Sequence, residues 1–250
     1  MKVVRMVPIV AVVVACSLRA DGADRKPIRL LTYNLNYANH DRAATMRAIA
    51  DTDADVVLVQ ESDAEWKRAL SETFAKKYKY QAYRLHGRYA GGIAILSKLP
   101  IAKEEEIPSP LNTWFPAQRI VVDGPFGAVQ ILNVHLRPAV DNGSWVKGFV
   151  TTPPLRLKEV EAYWPKLATD LPTIVAGDFN ETSDGSALAF LGKHGLTRVP
   201  VKGPSTWHYE LLKMDIDHVM IDGTLTAHDG EVLDAGTSDH RPVVVTIEKP

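Results

Sequence analysis

The feature that most constrains this chain is a construction it repeats: a short apolar, β-prone run that stops at a polar side chain. Thr173-Ile174-Val175-Ala176 is the plainest case, reading as a buried strand that ends at Gly177 and runs into Asp178-Phe179-Asn180. Ile28 to Tyr33 runs into Asn34, and Val56 to Val59 into Gln60-Glu61. His135 and Asp217 lie within similar runs. Asp178 and Asn180 stand two residues apart, so an extended backbone sends both to one side. A polar turn after a strand is the plain alternative for that pair, since Asp and Asn are common there.

The runs set the organisation. Residues 28–33, 55–59, 80–85, 93–97, 118–122, 129–136, 173–176, 216–221 and 243–247 read as strands. Helical patterning falls at 43–50, 64–77, 155–167 and 187–193, with Trp66, Leu70 and Phe74 spaced four apart in the second. Residues 138–154 are rich in Gly, Pro, Asn and Thr and read as a long functional loop, with Trp145, Phe149 and Arg156 in or beside it as substrate-selecting candidates. With no internal repeat or interdomain linker, residues 28–248 read as one α+β domain whose sheets pack face to face.

The first 23 residues are read apart from the fold. Lys2 and Arg5 precede an apolar stretch from Val7 to Ala15, far short of the roughly 20 residues that span a bilayer. That is the pattern of an export signal. Cys16, the only cysteine, sits in Val13-Val14-Ala15-Cys16-Ser17, which resembles the lipobox of bacterial lipoproteins; cleavage after Ala20 or Ala23 is the competing outcome. The expected location is the bacterial periplasm, the outer membrane through a lipid anchor, or the medium. A formal charge of −1 gives no reason to expect a protein that coats nucleic acid.

Taken singly, each polar strand end has a structural explanation; together they have a chemical logic. Carboxylates and asparagine carbonyls are hard oxygen ligands suited to Mg²⁺ or Mn²⁺, and no close His/Cys spacing suggests zinc. A histidine beside a carboxylate can take a proton from water near neutral pH. Neither a Gly-x-Ser-x-Gly elbow nor a P-loop occurs.

Asn34, Gln60-Glu61, Asn133-Val134-His135-Leu136, Gly177-Asp178-Phe179-Asn180, Ile216-Asp217-His218 and Ser238-Asp239-His240-Arg241-Pro242 resemble, in order, the motifs of the endonuclease/exonuclease/phosphatase superfamily. The resemblance implies a four-layer α/β/β/α sandwich, with two mixed, mainly antiparallel sheets flanked by helices. It implies Glu61 as principal metal ligand with Asn34 and Asp239 nearby, and His240 as catalytic histidine oriented by Asp217. Asp178 and Asn180 would position water and the scissile phosphate, and His135 would be the second histidine of the deoxyribonuclease-like and sphingomyelinase-like branches. Tyr89-Ala90-Gly91-Gly92-Ile93 resembles the glycine-containing start of a family strand. The expected partner is a phosphoester: a nucleic acid, a phospholipid head group or a small phosphate ester, bound by a monomer. A noncatalytic membrane-tethered binding protein of the same fold is the alternative class.

Overall fold

In the first strand, β1 (Ile28–Asn34), alternate residues divide between two environments. Ile28 and Leu30 pack into a core shared with Ile120, Ile131, Ile174 and Val219, while Leu31 and Tyr33 face Ile49, Trp66 and Leu70. A strand apolar on both faces must be covered on both, and that requirement generates the architecture. The computed structural model describes residues 26–86, 90–113 and 115–250. The export signal, Cys16 and Tyr89 lie outside the described residues.

After β1 come α1 (Arg42–Asp51), β2 (Val56–Gln60), α2 (Ala64–Phe74), β3 (Tyr80–Arg84), β4 (Ile93–Ser97), β5 (Ile101–Ile107), β6 (Ala117–Gly124) and β7 (Gly127–His135). There follow α3 (Trp145–Thr151), α4 (Pro153–Tyr163), β8 (Thr173–Asp178), α5 (Ser186–Lys193), β9 (Leu196–Arg198), β10 (Trp207–Tyr209), β11 (Leu212–Met214), β12 (Asp217–Asp222), β13 (Thr226–Val232) and β14 (Val243–Glu248). One six-stranded sheet has the order β13-β14-β1-β2-β4-β3, the other β5-β6-β7-β8-β12-β9, and β10-β11 is a separate hairpin. Among the described residues the strand pairs β1–β2 and β7–β8 are parallel, and the other strand pairs are antiparallel. A central core lies between the sheets, and two outer cores join the first sheet to α1 and α2 and the second to α4 and α5. This is the expected four-layer sandwich.

Local chemistry sets the helix starts. Asp41 and Asp63 cap α1 and α2 by accepting from the backbone N–H groups of Ala44 and Trp66. Pro153 and Pro154 open α4, where a missing N–H costs nothing. Within the 138–154 segment read as loop, Ser144 caps the seven-residue α3. The sequence there, Trp-Val-Lys-Gly-Phe-Val-Thr, has poor intrinsic helix propensity, which hid the helix. Strand β5 was also hidden: Lys103-Glu104-Glu105-Glu106 reads as polar chain, yet it forms a sheet edge, where charges guard against further pairing.

Candidate active site

The two-residue period of the strands aims the polar groups. Asn34 shares a face with Leu30, His135 with Ile131, Asp178 with Ile174, and Asp217 with Val219, all central-core residues. Each therefore projects between the two sheets, at one end of the sandwich. Parallel register places His135 beside Asp178, and antiparallel register places Asp217 beside Asp178. Just below them Gln60 Nε2 crosses between the sheets to Asn133 Oδ1 at 2.7 Å, so buried amides are paired with each other.

The end of the sandwich is closed by hydrogen bonds. Asn34 Nδ2, from the first sheet, donates to Glu61 Oε1 at 3.1 Å and to Asp178 Oδ2 of the second sheet at 3.0 Å. His135 Nε2 stands 3.5 Å from Asp178 Oδ2 and 3.9 Å from Glu61 Oε1. His240 Nδ1 meets Asp217 Oδ2 at 2.8 Å, and its Nε2 lies 3.6 Å from Asp178 Oδ2. Asp239 accepts from Asn36 Nδ2 at 2.8 Å and from Trp207 Nε1 at 3.0 Å. A cavity of about 80 Å³ opens onto Glu61, His135, Asp178, Asn180, Asp239 and His240, with Trp145 and Trp207 as walls. All eight residues singled out from the sequence therefore meet in or directly behind one cavity.

The expected extended geometry of Asp178 and Asn180 does not hold. The strand ends at Asp178, and Asn180 turns into the left-handed region (φ 52°), donating its backbone N–H to Asp178 Oδ1 at 2.8 Å. A side chain that bonds the backbone two residues on makes an Asx-type turn, which overrides the strand's alternation. Asn180 still lines the cavity, with Nδ2 held on the Leu136 carbonyl at 3.0 Å. Gly177 allows the close packing before it: at φ 143°, a Cβ there would sit 2.0 Å from the Val134 carbonyl oxygen. Glu61 also adopts a left-handed backbone (φ 56°), an unfavourable conformation for a side chain of this size, held beside the cavity.

Burial sets the charges. Burial opposes the charge on His240, but the carboxylates of Asp217 and Asp178 outweigh it and raise its pKa to about 10. Burial, reinforced by positive charge on His240, lowers the His135 pKa to about 3 and keeps that ring neutral. Burial raises the pKa values of Glu61 and Asp178. Glu61 thus has only a neutral imidazole within ion-pair distance, among the described residues. A half-buried carboxylate in that position suits a bound cation, and the donors around it are the hard oxygens that Mg²⁺ and Mn²⁺ accept. Asn34 presents its amide nitrogen to the carboxylates and its oxygen to the Asn36 N–H, so in this arrangement it orients Glu61 and Asp178. Among the described residues, Asp178, Asp217 and His240 each bring one acid or imidazole atom within 4.8 Å of the others. The 2.8 Å His240–Asp217 contact makes that trio a hydrogen-bonded ion-pair cluster, whereas Glu61 feels the His240 charge only from a distance, with no ion-pair contact to it.

Two parts of the site escaped the sequence reading. Thr206 Oγ1 accepts the N–H groups of Ile216 and Asp217 at 2.9 and 3.1 Å, and Trp207 anchors Asp239. No periodicity marks Thr206-Trp207; only an indole beside a polar turn hinted at it. Arg156, read as substrate-selecting, is instead buried, with Nε on Glu181 Oε2 at 3.2 Å. Its charge is spent inside the protein.

Two packed mixed sheets between helices, with carboxylates, amides and histidines gathered at the strand ends, define a class of generally divalent-metal-dependent hydrolases of phosphate esters. The chain belongs to the Endonuclease/Exonuclease/phosphatase family, whose sequence profile matches residues 31–240. Among solved structures, it is similar to an endonuclease/exonuclease/phosphatase from Beutenbergia cavernae, with a TM-score of 0.74, 18% identity and coverage of 90% of this chain and 72% of that one. The human Nocturnin catalytic domain gives 0.73, 14%, 90% and 96%, in the same order. Sphingomyelinase C from Streptomyces griseocarneus gives 0.68, 19%, 88% and 99%. At these identities the likeness is one of fold. Among curated proteins no sequence matches significantly.

Proposed function

We propose that this protein is an exported phosphoesterase in which His240, held by Asp217, activates water against a phosphate ester. The observation that carries the reading is the His240–Asp217 contact: Nδ1 is tied to a buried carboxylate at 2.8 Å while the other ring nitrogen faces the cavity. An imidazole anchored on one side keeps one orientation and leaves Nε2 to exchange a proton with water. Asp178 would hold that water, and Asn180 and neutral His135 would hydrogen-bond the phosphoryl oxygens. Glu61, with Asp239 and the supporting amide of Asn34, would hold Mg²⁺ or Mn²⁺. Such an ion, when bound, supplies charge neutralisation at the phosphate and the leaving oxygen. The same countercharge would weaken the hold of the carboxylates on the His240 proton and favour the neutral ring that a base requires.

The rim favours a substrate with an apolar part, a phospholipid head group attached to its lipid, over a polynucleotide. Val146 and Val150 on α3 are 82% and 78% exposed, and Leu211 at the tip of the β10–β11 hairpin is 96% exposed. Phe149, Tyr209 and Leu212 are exposed on the same two elements. Trp145 and Trp207 join these elements over the cavity, with ring centroids 6.1 Å apart. A surface that tracks a nucleic-acid backbone would present free cations there. Lys147 on α3 is instead paired with Asp141 at 3.0 Å, which leaves Lys213 on β11 as the exposed lysine of these two elements without an ion pair among the described residues. Export fits such a substrate outside the cell. The test is turnover with Mg²⁺ on a panel of phospholipid vesicles, plasmid DNA, RNA, inositol phosphates and bis(4-nitrophenyl) phosphate. Vesicle hydrolysis well above nucleic-acid cleavage is expected. The reverse preference would overturn the lipid reading, and no turnover on any ester would leave the noncatalytic binding protein.

A further inference from the structure

Next to the catalytic cavity lies a second, larger one of about 400 Å³, lined by Asn112, Thr113, Phe115, Arg137, Val140 and Asn142, among others. The two share Pro138 as a common wall. They also meet through Phe115, whose ring packs edge-on against His135 with centroids 4.8 Å apart. What distinguishes this cavity is Arg137. Its guanidinium has no carboxylate within ion-pair distance among the described residues, and its Nε is buried without an acceptor. The one contact the guanidinium makes is long, from Nη2 to the Val140 carbonyl at 3.4 Å. The nearby acids are turned to other partners. Asp141 accepts from Lys147 and Thr151, and Glu159 from the Arg137 backbone N–H and the Ser109 hydroxyl. A partly buried arginine with one long hydrogen bond and no salt bridge is a costly group, and its fork of N–H donors matches a phosphate or carboxylate.

We propose that this cavity is an anion subsite. It takes a second phosphate or carboxylate carried by the alcohol part of the ester whose phosphate sits in the catalytic cavity. Arg137 supplies the charge, and Phe115 and Val140 bound the carbon skeleton. The proposal rests on the phosphoesterase reading for what fills the first cavity, and it narrows the substrate class to esters bearing two anionic groups.

Calorimetry on the whole chain with Mg²⁺ tests it, with propane-1,3-diyl bisphosphate and n-propyl phosphate as probes. The wild type should bind the bisphosphate at least about tenfold more tightly, the scale of a charge-assisted hydrogen bond. Arg137→Met should erase that preference and Arg137→Lys keep part of it. The backbone bonds from Arg137 N–H to Glu159 and from Arg156 to the Arg137 carbonyl survive either change. Asn142→Asp, at a left-handed position that Asp tolerates, should weaken bisphosphate binding by adding a like charge. Equal affinities in the wild type, or an undiminished preference in a folded Arg137→Met, would overturn the subsite. Turnover of the ester panel separates the two readings: its absence on every ester beside an intact bisphosphate preference removes the esterase and leaves the anion site.

Discussion

His240 Nδ1 lies 2.8 Å from Asp217 Oδ2, and the two residues come from different parts of the fold: Asp217 begins β12, while His240 precedes β14. Both are almost wholly buried. The pair is thus built by the packing of one sheet on the other, and it holds one ring nitrogen towards the cavity. His240→Ala should lower kcat about 10²–10⁴-fold with the fold retained. Asp217→Asn should cost nearly as much, and the double variant little more than His240→Ala, because groups acting as a unit are not additive. Steady-state kinetics with circular dichroism checks this; a His240→Ala enzyme with more than about a tenth of wild-type kcat places the base elsewhere.

Metal dependence should be absolute. Excess chelator is expected to abolish turnover, and added Mg²⁺ or Mn²⁺ to restore it. Glu61→Gln should raise the metal concentration for half-maximal activity at least about tenfold, the loss that even an outer-shell partner of a metal ligand produces, and regain part of its rate at high metal. Full activity in chelator would remove the metal from the reaction.

Gly177 is expected to tolerate no side chain. In Gly177→Ala the new Cβ meets the Val134 carbonyl oxygen at 2.0 Å, and the backbone stays at φ 143°. Overpacking and backbone strain together should destabilise the fold by about 3 kcal/mol or more. Urea denaturation of the two proteins measures the difference.

Stability should carry a pH dependence from Glu159. Burial raises its pKa from 4.5 to about 7. Between those values the folded protein keeps a proton that the unfolded chain has released, so stability falls as pH rises through the window and levels off above it. At about 1.4 kcal/mol per unit, the slope amounts to on the order of 3 kcal/mol. Glu159→Gln should flatten that part of the profile. Denaturation at pH 5 and pH 8 isolates it as the wild-type-minus-variant difference.

The apolar rim should matter only where the substrate is embedded. Val150→Asp combined with Leu211→Asp is expected to lower the ratio of vesicle to bis(4-nitrophenyl) phosphate turnover about tenfold, since burying each such side chain is worth roughly 1.5–3 kcal/mol. An unchanged ratio would return the choice of substrate to the nucleic acids and small esters.

Much of this molecule was legible in its sequence, because strands and helices leave local signatures. The runs ending at Asn34, Gln60 and Asp178 carried period-two or buried-strand patterning, and each emerged as a strand end, with Glu61 one residue beyond the second. The α+β class and the face-to-face sheets followed from their order. Resemblance to a family then placed the polar ends in one site, which local patterning could not do. Other features depended on partners distant in the chain and were settled only by tertiary structure. Arg156 looked available until its packing against Glu181 buried it, and only the fold set Arg137 in a cavity with no salt bridge among the described residues. Asn180 left the strand because Asp178 Oδ1 captured its N–H, and Trp207 gained a role only when Asp239, 32 residues away, came within 3.0 Å. Secondary structure follows from neighbours along the chain, so sequence determines it directly. The charge, burial and partner of a side chain follow from neighbours in space, and here those neighbours belong to two sheets that meet only on folding.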